Sequence, residues 1–158
     1  MRWSAKTRSM TMGGSRHVQS ESRAAEHWNR FGDAGRALLV GGAVLAPLWR
    51  KQYRTSLNGL AAILAVSAAS KAIKAFWREP RPNGQNNNSF PSQHAGDCFA
   101  AAAVLKHEWN EGVGPFAFGL ATAVSLSRVF SGKHHPADVI AGGALGVIAG
   151  EIAGDYSS

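Results

Sequence analysis

The chain has 158 residues, 45% of them hydrophobic, and this length favours a single domain with a modest core. Its formal net charge of +7 and pI of about 10.2 favour an anionic partner, which can be nucleic acid, an anionic membrane surface or a phosphorylated substrate. Because Cys98 is the single cysteine, these residues hold neither an intrachain disulfide nor a cysteine metal cluster.

The first 33 residues are basic and polar, with six Lys and Arg residues against three Asp and Glu residues. They contain no apolar run of the kind that a secretory signal peptide has. We therefore predict a basic, partly disordered N-terminal arm over residues 1–33. The alternative for this segment is an amphipathic surface helix around residues 20–33 that contacts anionic lipid.

Residues 34–156 are predicted to form one all-α domain, a compact bundle of five core helices. The apolar segments are dominated by Ala, Leu, Val, Ile and Gly, and they lack the alternation of strands. Short connections that contain Pro, Gly or Asn separate them. The predicted helices cover residues 34–49, 56–77, 93–107, 114–130 and 136–154.

Hydropathy alone leaves a soluble bundle and a membrane bundle open. The charge-free runs are shorter than the roughly 20 residues of a full span, although charged side chains at their ends can snorkel. The mean hydropathy of −0.14 is lowered by the polar arm and by an Asn-rich loop. Glycines recur every fourth residue at Gly142, Gly146 and Gly150, a spacing common where membrane helices pack. We predict a transmembrane bundle.

Polar side chains cluster at three junctions between the helices. The first is "KAFWREPRP", with Lys74 and Arg81, and the second is the segment Pro91–His94. The third is "SRVFSGKHHPAD", which runs from Ser127 to Asp138. If consecutive helices pack antiparallel, all three junctions lie at the same end of the bundle.

Such a cluster suits a phosphate ester. Lys74, Arg81 and Arg128 supply three cations, and guanidinium groups match phosphoryl oxygens. Pro91 and Ser92 fit the first turn of one helix, and Pro136 fits that of another. The free backbone N–H groups of such a first turn attract an anion. Two histidines and an aspartate can provide a nucleophile, a proton donor and an orienting carboxylate.

The order and spacing of these motifs are similar to a known signature. Lys-x6-Arg-Pro, Pro-Ser-x-His and Ser-Arg-x5-His-x3-Asp resemble the three motifs of the type 2 phosphatidic acid phosphatase and vanadium haloperoxidase superfamily. The resemblance covers roughly residues 55–155 and favours a small bacterial-type membrane member. One position departs from the pattern, since Gln93 stands where the family has glycine.

The resemblance implies a role for each matching residue. His134 would attack phosphorus, Asp138 would orient its ring, and His94 would protonate the leaving group. His134 has the family spacing from both Arg128 and Asp138. The neighbouring His135 is displaced by one residue from both of these spacings. The residues implied in phosphate binding are Lys74, Arg81, Ser92, Gln93 and Arg128. The family mechanism needs no metal and no cofactor.

The predicted function is thus a metal-independent phosphatase of a lipid phosphate or diphosphate, acting through a phosphohistidine. Isoprenoid diphosphate, phosphatidate and phosphatidylglycerophosphate are the candidate substrates. The alternatives are a soluble acid phosphatase of small esters and a non-catalytic membrane protein that binds anionic lipid. Nucleic acid is not an expected partner, because the basic residues form no stripe with interleaved aromatics. We expect a multi-pass protein of the bacterial inner membrane.

Overall fold

The computed structural model describes residues 12–109 and 112–156, with side chains described from residue 21 onward. Within these ranges the secondary structure is helical, apart from one isolated β-bridge between Glu79 and Asn88. The all-α fold and the five predicted helices are confirmed. The helices are α1 (Met12–Trp49), α2 (Tyr53–Phe76), α3 (Gln93–Glu108), α4 (Val113–Phe130) and α5 (Pro136–Asp155).

Helix α1 is longer than the sequence predicted. It begins at Met12 and crosses the predicted boundary between residues 33 and 34 without a break. Within the charged segment Glu26 and Arg30 form an exposed pair one turn apart at 2.6 Å, a spacing compatible with a helix. On the other side, the Trp28 ring lies 5.2 Å from that of Phe130 on α4. Residues 1–11 of the predicted arm lie outside the described residues, and the division into arm and domain stays a prediction.

Helix α3 is the centre of the bundle and contacts each of the other four helices. Its residues 100–105 are all buried, and four of them are alanines, whose small side chains let neighbouring helices approach closely. The core around α3 is apolar. Its larger buried members are Leu39, Ile63, Val66, Val104, Leu105 and Val124.

The glycine strip of α5 packs directly on α3. A Cβ atom at Gly142 would overlap the carbonyl oxygen of Ser92, and one at Gly146 would overlap that of Gly96. A Cβ at Gly150 would lie 2.5 Å from the carbonyl oxygen of Ala100. The spacing of four residues therefore brings the two backbones into contact, which places the start of α5 beside the start of α3.

Four of the helices are long and apolar enough to cross a membrane: Glu21–Trp49, Tyr53–Phe76, Val113–Phe130 and Pro136–Asp155. They enclose α3 and turn large apolar side chains outward, as a bundle in lipid does. Examples that are more than half exposed are Leu38, Leu57, Leu64, Phe116, Ile140 and Ile148.

The three polar junctions meet at one end of the bundle, as antiparallel packing predicted. The end of α2 reaches the start of α3, where the Lys74 ammonium donates to the carbonyl of Pro91. The start of α3 reaches that of α5, since Ser92 N–H donates to the Asp138 carbonyl at 2.9 Å. The two long loops touch through Asn83 N–H and the Gly132 carbonyl at 3.0 Å.

Candidate active site

Two helix N-termini converge at the centre of this end. Ser92 caps α3, and its hydroxyl accepts the N–H of Ala95 at 3.4 Å. Helix α5 begins with Pro136 and carries Asp138 in its first turn. Because the free N–H groups and the positive dipole ends of α3 and α5 lie side by side, this end attracts an anion.

His134 and Asp138 form a buried pair at the start of α5. The His134 side chain is 5% exposed, and its Nδ1 lies 3.5 Å from Oδ2 of the fully buried Asp138. That oxygen also accepts the Ser89 hydroxyl at 2.5 Å and the His135 backbone N–H at 2.8 Å. The carboxylate is therefore held beside Nδ1 at ion-pair distance, without a hydrogen bond to it in this structure. This placement on the Nδ1 side leaves Nε2 as the ring nitrogen that can react.

His94 and Arg128 are joined by a carboxylate from α1. Oδ1 of Asp33 lies 2.9 Å from Nε2 of His94 and 3.2 Å from Nη1 of Arg128. The same Nη1 lies 3.3 Å from the carbonyl oxygen of Asn29. The Arg128 side chain is 5% exposed. Helix α1 thus contributes to this end of the bundle together with the three predicted motifs.

The cations of the first motif differ in their partners. Lys74 donates to the carbonyls of Asn88 at 3.1 Å and Ser89 at 3.4 Å, besides that of Pro91, so it holds the loop before α3. The backbone of Arg81 is fixed by an N–H bond to the Asn86 carbonyl at 2.9 Å. Its guanidinium Nε is buried and has no hydrogen-bond partner among the described residues.

Gln93 turns its side chain away from these cations. Its Nε2 donates to Ser67 on α2 at 2.9 Å, and Ser67 donates to Oδ1 of Asp97 at 3.0 Å. Any contact of Gln93 with a phosphate is therefore confined to its backbone N–H, and that contact stays a prediction. The departure from the family glycine adds a polar link between α2 and α3.

The same network includes an ion pair between a partly exposed arginine and a fully buried carboxylate. Arg36 on α1 donates through Nε at 2.9 Å and Nη2 at 2.5 Å to Oδ2 of Asp97, whose side chain is fully buried. Both Arg36 donors bond to Oδ2 of Asp97, and the Ser67 hydroxyl donates to Oδ1, so each carboxylate oxygen has a hydrogen-bond partner. The pair ties α1 to α3 one turn after His94.

We expect Arg36→Met to lower the free energy of unfolding by about 3 kcal/mol, because the buried Asp97 carboxylate would lose its cation. Unfolding in detergent micelles measures this change. Arg30→Met is the matched control on the same helix, since the Arg30–Glu26 pair is exposed and contributes less than about 0.5 kcal/mol. Adding Asp97→Asn to Arg36→Met should restore part of the loss, and equal losses for both arginines would contradict the prediction.

The surroundings of both histidines lower their pKa and so favour the neutral imidazole. Burial, and then the charges of Arg81 and Lys74, lower the pKa of His134 to about 4. Burial, and then the charge of Arg128, lower the pKa of His94 to about 4. A neutral imidazole is a nucleophile, and an anion bound beside the cations would raise the pKa of a nearby histidine.

Sequence reasoning missed three polar residues at this end of the bundle: Asp33 and Arg36, which contact His94 and Asp97, and Ser89, which contacts Asp138. The first two lie in or next to the predicted arm, and their partners are 61 residues away along the chain. Their spacing of three residues matches that of His94 and Asp97, which is the one signal that the sequence carried. Ser89 lies just before the second motif and has no signal of its own.

Comparison with known proteins gives the family. A family model described as the PAP2 superfamily matches residues 83–153. The chain is 33% identical over 134 residues to decaprenylphosphoryl-5-phosphoribose phosphatase of Mycolicibacterium smegmatis, covering 79% of this chain and 71% of that protein. The chain belongs to the PAP2 superfamily. The predicted resemblance is thereby confirmed.

Other similarities agree with this assignment. The chain is 30% identical over 110 residues to lipid A 1-phosphatase of Porphyromonas gingivalis, which is 66% of this chain but 23% of the length of that protein. The fold matches the crystal structure of Aquifex aeolicus LpxE with a TM-score of 0.70, at 22% identity over 84% of this chain and 86% of that one. The PAP2 family and its phosphatase members put the chain among phosphate ester hydrolases.

A second structural match concerns the membrane setting. The transmembrane PAP2-type phosphatidylglycerolphosphate phosphatase of Bacillus subtilis aligns with a TM-score of 0.65, at 22% identity over 93% of this chain and 87% of that one. At this identity the likeness is one of fold. Together with the four apolar helices it makes this PAP2 chain a membrane protein.

Proposed function

We propose that this PAP2 protein is a metal-independent phosphatase that hydrolyses a lipid phosphate or diphosphate through a phosphohistidine. The observation that carries the proposal is a set of buried donors that lack partners. The Nε atoms of Arg81 and Arg128 are both buried and unpaired among the described residues. Buried guanidinium donors are costly when unpaired, and the oxygens of a phosphoryl group would satisfy them.

In the first step, Nε2 of His134 attacks phosphorus while the bond to the leaving oxygen breaks. The bound anionic substrate raises the pKa of His94, so the ring takes up a proton and gives it to that oxygen. The lipid leaves as an alcohol, or as a monophosphate when the substrate is a diphosphate. The Asp138 carboxylate stabilises the positive charge that forms on the His134 ring. Lys74, Arg81 and Arg128, with the N-terminal amides of α3, stabilise the phosphoryl charge.

In the second step, water attacks the phosphohistidine. His94, now neutral, takes a proton from the water as the phosphorus–nitrogen bond breaks. Inorganic phosphate leaves, and His134 returns to its neutral form. Each histidine therefore ends the cycle in its starting state, and the scheme uses no metal. Among the described residues, no group of three or more His, Cys, Asp or Glu side chains is placed to hold a metal ion.

Apolar side chains around the site support a lipid substrate. Phe76 is 92% exposed, Trp77 61% and Phe130 58%, and all three lie at the helix ends that carry the polar motifs. A lipid tail would contact such side chains while its headgroup meets the cations. Several relatives are phosphatases whose names specify a lipid-linked phosphate. We also propose that the four apolar helices span a bacterial inner membrane.

Phosphate release in detergent micelles with excess EDTA tests the function. The substrates are phosphatidate, phosphatidylglycerophosphate, a polyprenyl diphosphate and p-nitrophenyl phosphate. We expect turnover without metal, and a kcat/KM at least about tenfold higher for one of the lipids than for the soluble ester. Folded protein that releases no phosphate from any of them would contradict the proposal. Faster turnover of the soluble ester would instead favour an acid phosphatase of small esters.

A further inference from the structure

Asp33 lies outside the residues that define the family, yet it contacts two of them. The family model matches residues 83–153, and the three motifs begin at Lys74. Although the Asp33 side chain is 57% exposed, one of its oxygens lies within hydrogen-bond distance of both His94 and Arg128. A carboxylate beside a proposed anion site opposes anion binding, so its presence there requires another explanation.

The packing of α1 on α4 brings Asp33 to this position. A Cβ atom at Gly32 would overlap the Ser127 hydroxyl on α4, and one at Gly35 would lie 2.5 Å from the Val124 side chain. Only glycine allows the two helices to approach this closely at these positions. The close approach sets Asp33 beside the Arg128 guanidinium.

A second contact fixes the register of α1 against α3. Asp33 and Arg36 are three residues apart on α1, and His94 and Asp97 are three residues apart on α3. Residues three apart share a helix face, so the two helices form two successive contacts. Asp33 pairs with His94 at 2.9 Å, and Arg36 pairs with Asp97 at 2.5 Å. The Arg36–Asp97 pair therefore holds the Asp33–His94 contact in place.

We propose that Asp33 is a positioning residue that orients His94 and holds its proton, an inference that rests on the phosphatase mechanism proposed above. Its carboxylate binds Nε2, which leaves Nδ1 as the ring nitrogen that serves the reaction. In the protonated ring, Nδ1–H donates to the leaving oxygen. In the neutral ring, Nδ1 accepts a proton from the attacking water. Asp33 thus does for His94 what Asp138 does for His134.

The charges around His94 explain why such a carboxylate is needed. The described charged groups that face its ring are Arg128 on α4 and both Asp33 and Arg36 on α1. Burial and the two arginines lower the pKa of His94, and Asp33 raises it. Without Asp33, the pKa of His94 would fall further, and a smaller fraction of the enzyme would hold the proton that the leaving group needs.

Two substrates with different leaving groups distinguish the positioning role of Asp33 from a structural role in the variant Asp33→Asn. An alkoxide needs a proton to depart, whereas p-nitrophenolate departs without one. We expect the first-turnover rate of alcohol release from dodecyl phosphate to fall about 30- to 100-fold and that of p-nitrophenolate release from p-nitrophenyl phosphate less than about threefold, because only the first step depends on the leaving group. The alkaline limb of the dodecyl phosphate pH profile should move to lower pH. KM should not rise, because a negative charge beside Arg128 is removed.

Two further variants complete the experiment. Asp33→Glu keeps the charge and should recover part of the first-turnover rate for dodecyl phosphate. Glu26→Gln removes an exposed carboxylate from the same helix, where its partner is Arg30, and should leave both activities unchanged. Retained first-turnover release of p-nitrophenolate demonstrates that Asp33→Asn is folded.

Equal losses on both substrates, or higher activity of Asp33→Asn on dodecyl phosphate, would overturn the inference. Such results would still leave the proposed function standing if the wild type is active and His134→Ala is not. A folded wild type that releases no phosphate from these two substrates or from the lipids of the panel above would instead contradict the proposed function. The two failures are therefore distinguishable in one set of assays.

Discussion

Replacing His134 with alanine is expected to lower kcat for lipid phosphate hydrolysis at least about 1,000-fold, because no other group can form the covalent intermediate. The ring is buried at the start of α5, with Asp138 beside Nδ1. The cations and helix N-termini remain in the variant, so substrate binding should persist. Initial rates of phosphate release over a range of lipid concentrations separate kcat from KM.

His135→Ala is the matched control for this loss. The two histidines are adjacent, but Nε2 of His135 lies 3.2 Å from the carbonyl oxygen of Pro80 in the loop after α2. We expect this variant to retain most of the wild-type activity. If His135→Ala were inactive and His134→Ala active, the assignment of the nucleophile would be wrong.

Asp138→Asn is expected to lower kcat about 1,000-fold with little change in KM, because the carboxylate touches the nucleophile and not the phosphate. An amide in its place cannot stabilise the positive ring that forms after attack. The amide would also accept fewer of the hydrogen bonds from the Ser89 hydroxyl and the His135 N–H, which converge on one carboxylate oxygen. Steady-state kinetics on a single lipid phosphate measure both parameters.

Ser89→Ala tests how much the orientation of the Asp138 carboxylate, apart from its charge, contributes to kcat. It removes one donor to Asp138 and leaves the charge in place, so we expect about a tenfold loss of kcat. Wild-type turnover by Asp138→Asn would mean that His134 needs no carboxylate partner. A loss of folding in either variant would be seen as a lower unfolding temperature in detergent.

Much of the fold could be predicted because it depends on sequence features that involve residues close together along the chain. Apolar composition and breaker residues located all five helices, and the spacing of Gly142, Gly146 and Gly150 predicted a close helix contact. Antiparallel order was enough to bring the three polar junctions to one end. These inferences use neighbours along the chain, where periodicity and turn residues carry the information.

The contributions of α1 could not be predicted in this way. Its first half contains no apolar run, so composition favoured an arm, whereas the segment is helical and packs on α4 through Trp28 and Phe130. The partners of Asp33 and Arg36 are distant in sequence and depend on how α1 packs. Likewise, nothing local indicated that the Gln93 side chain would bind Ser67.

The central claim is that phosphate passes through His134, and trapping of that intermediate tests it most directly. The wild type, mixed with a ³²P-labelled lipid phosphate and quenched in base within milliseconds, should carry an acid-labile phosphoryl group. Cleavage after Lys133 releases a segment that begins at His134 and has no further Lys or Arg. We predict label on this segment in the wild type and in His135→Ala, and none in His134→Ala. Label that persists in His134→Ala, or an active wild type that never becomes labelled, would contradict the account.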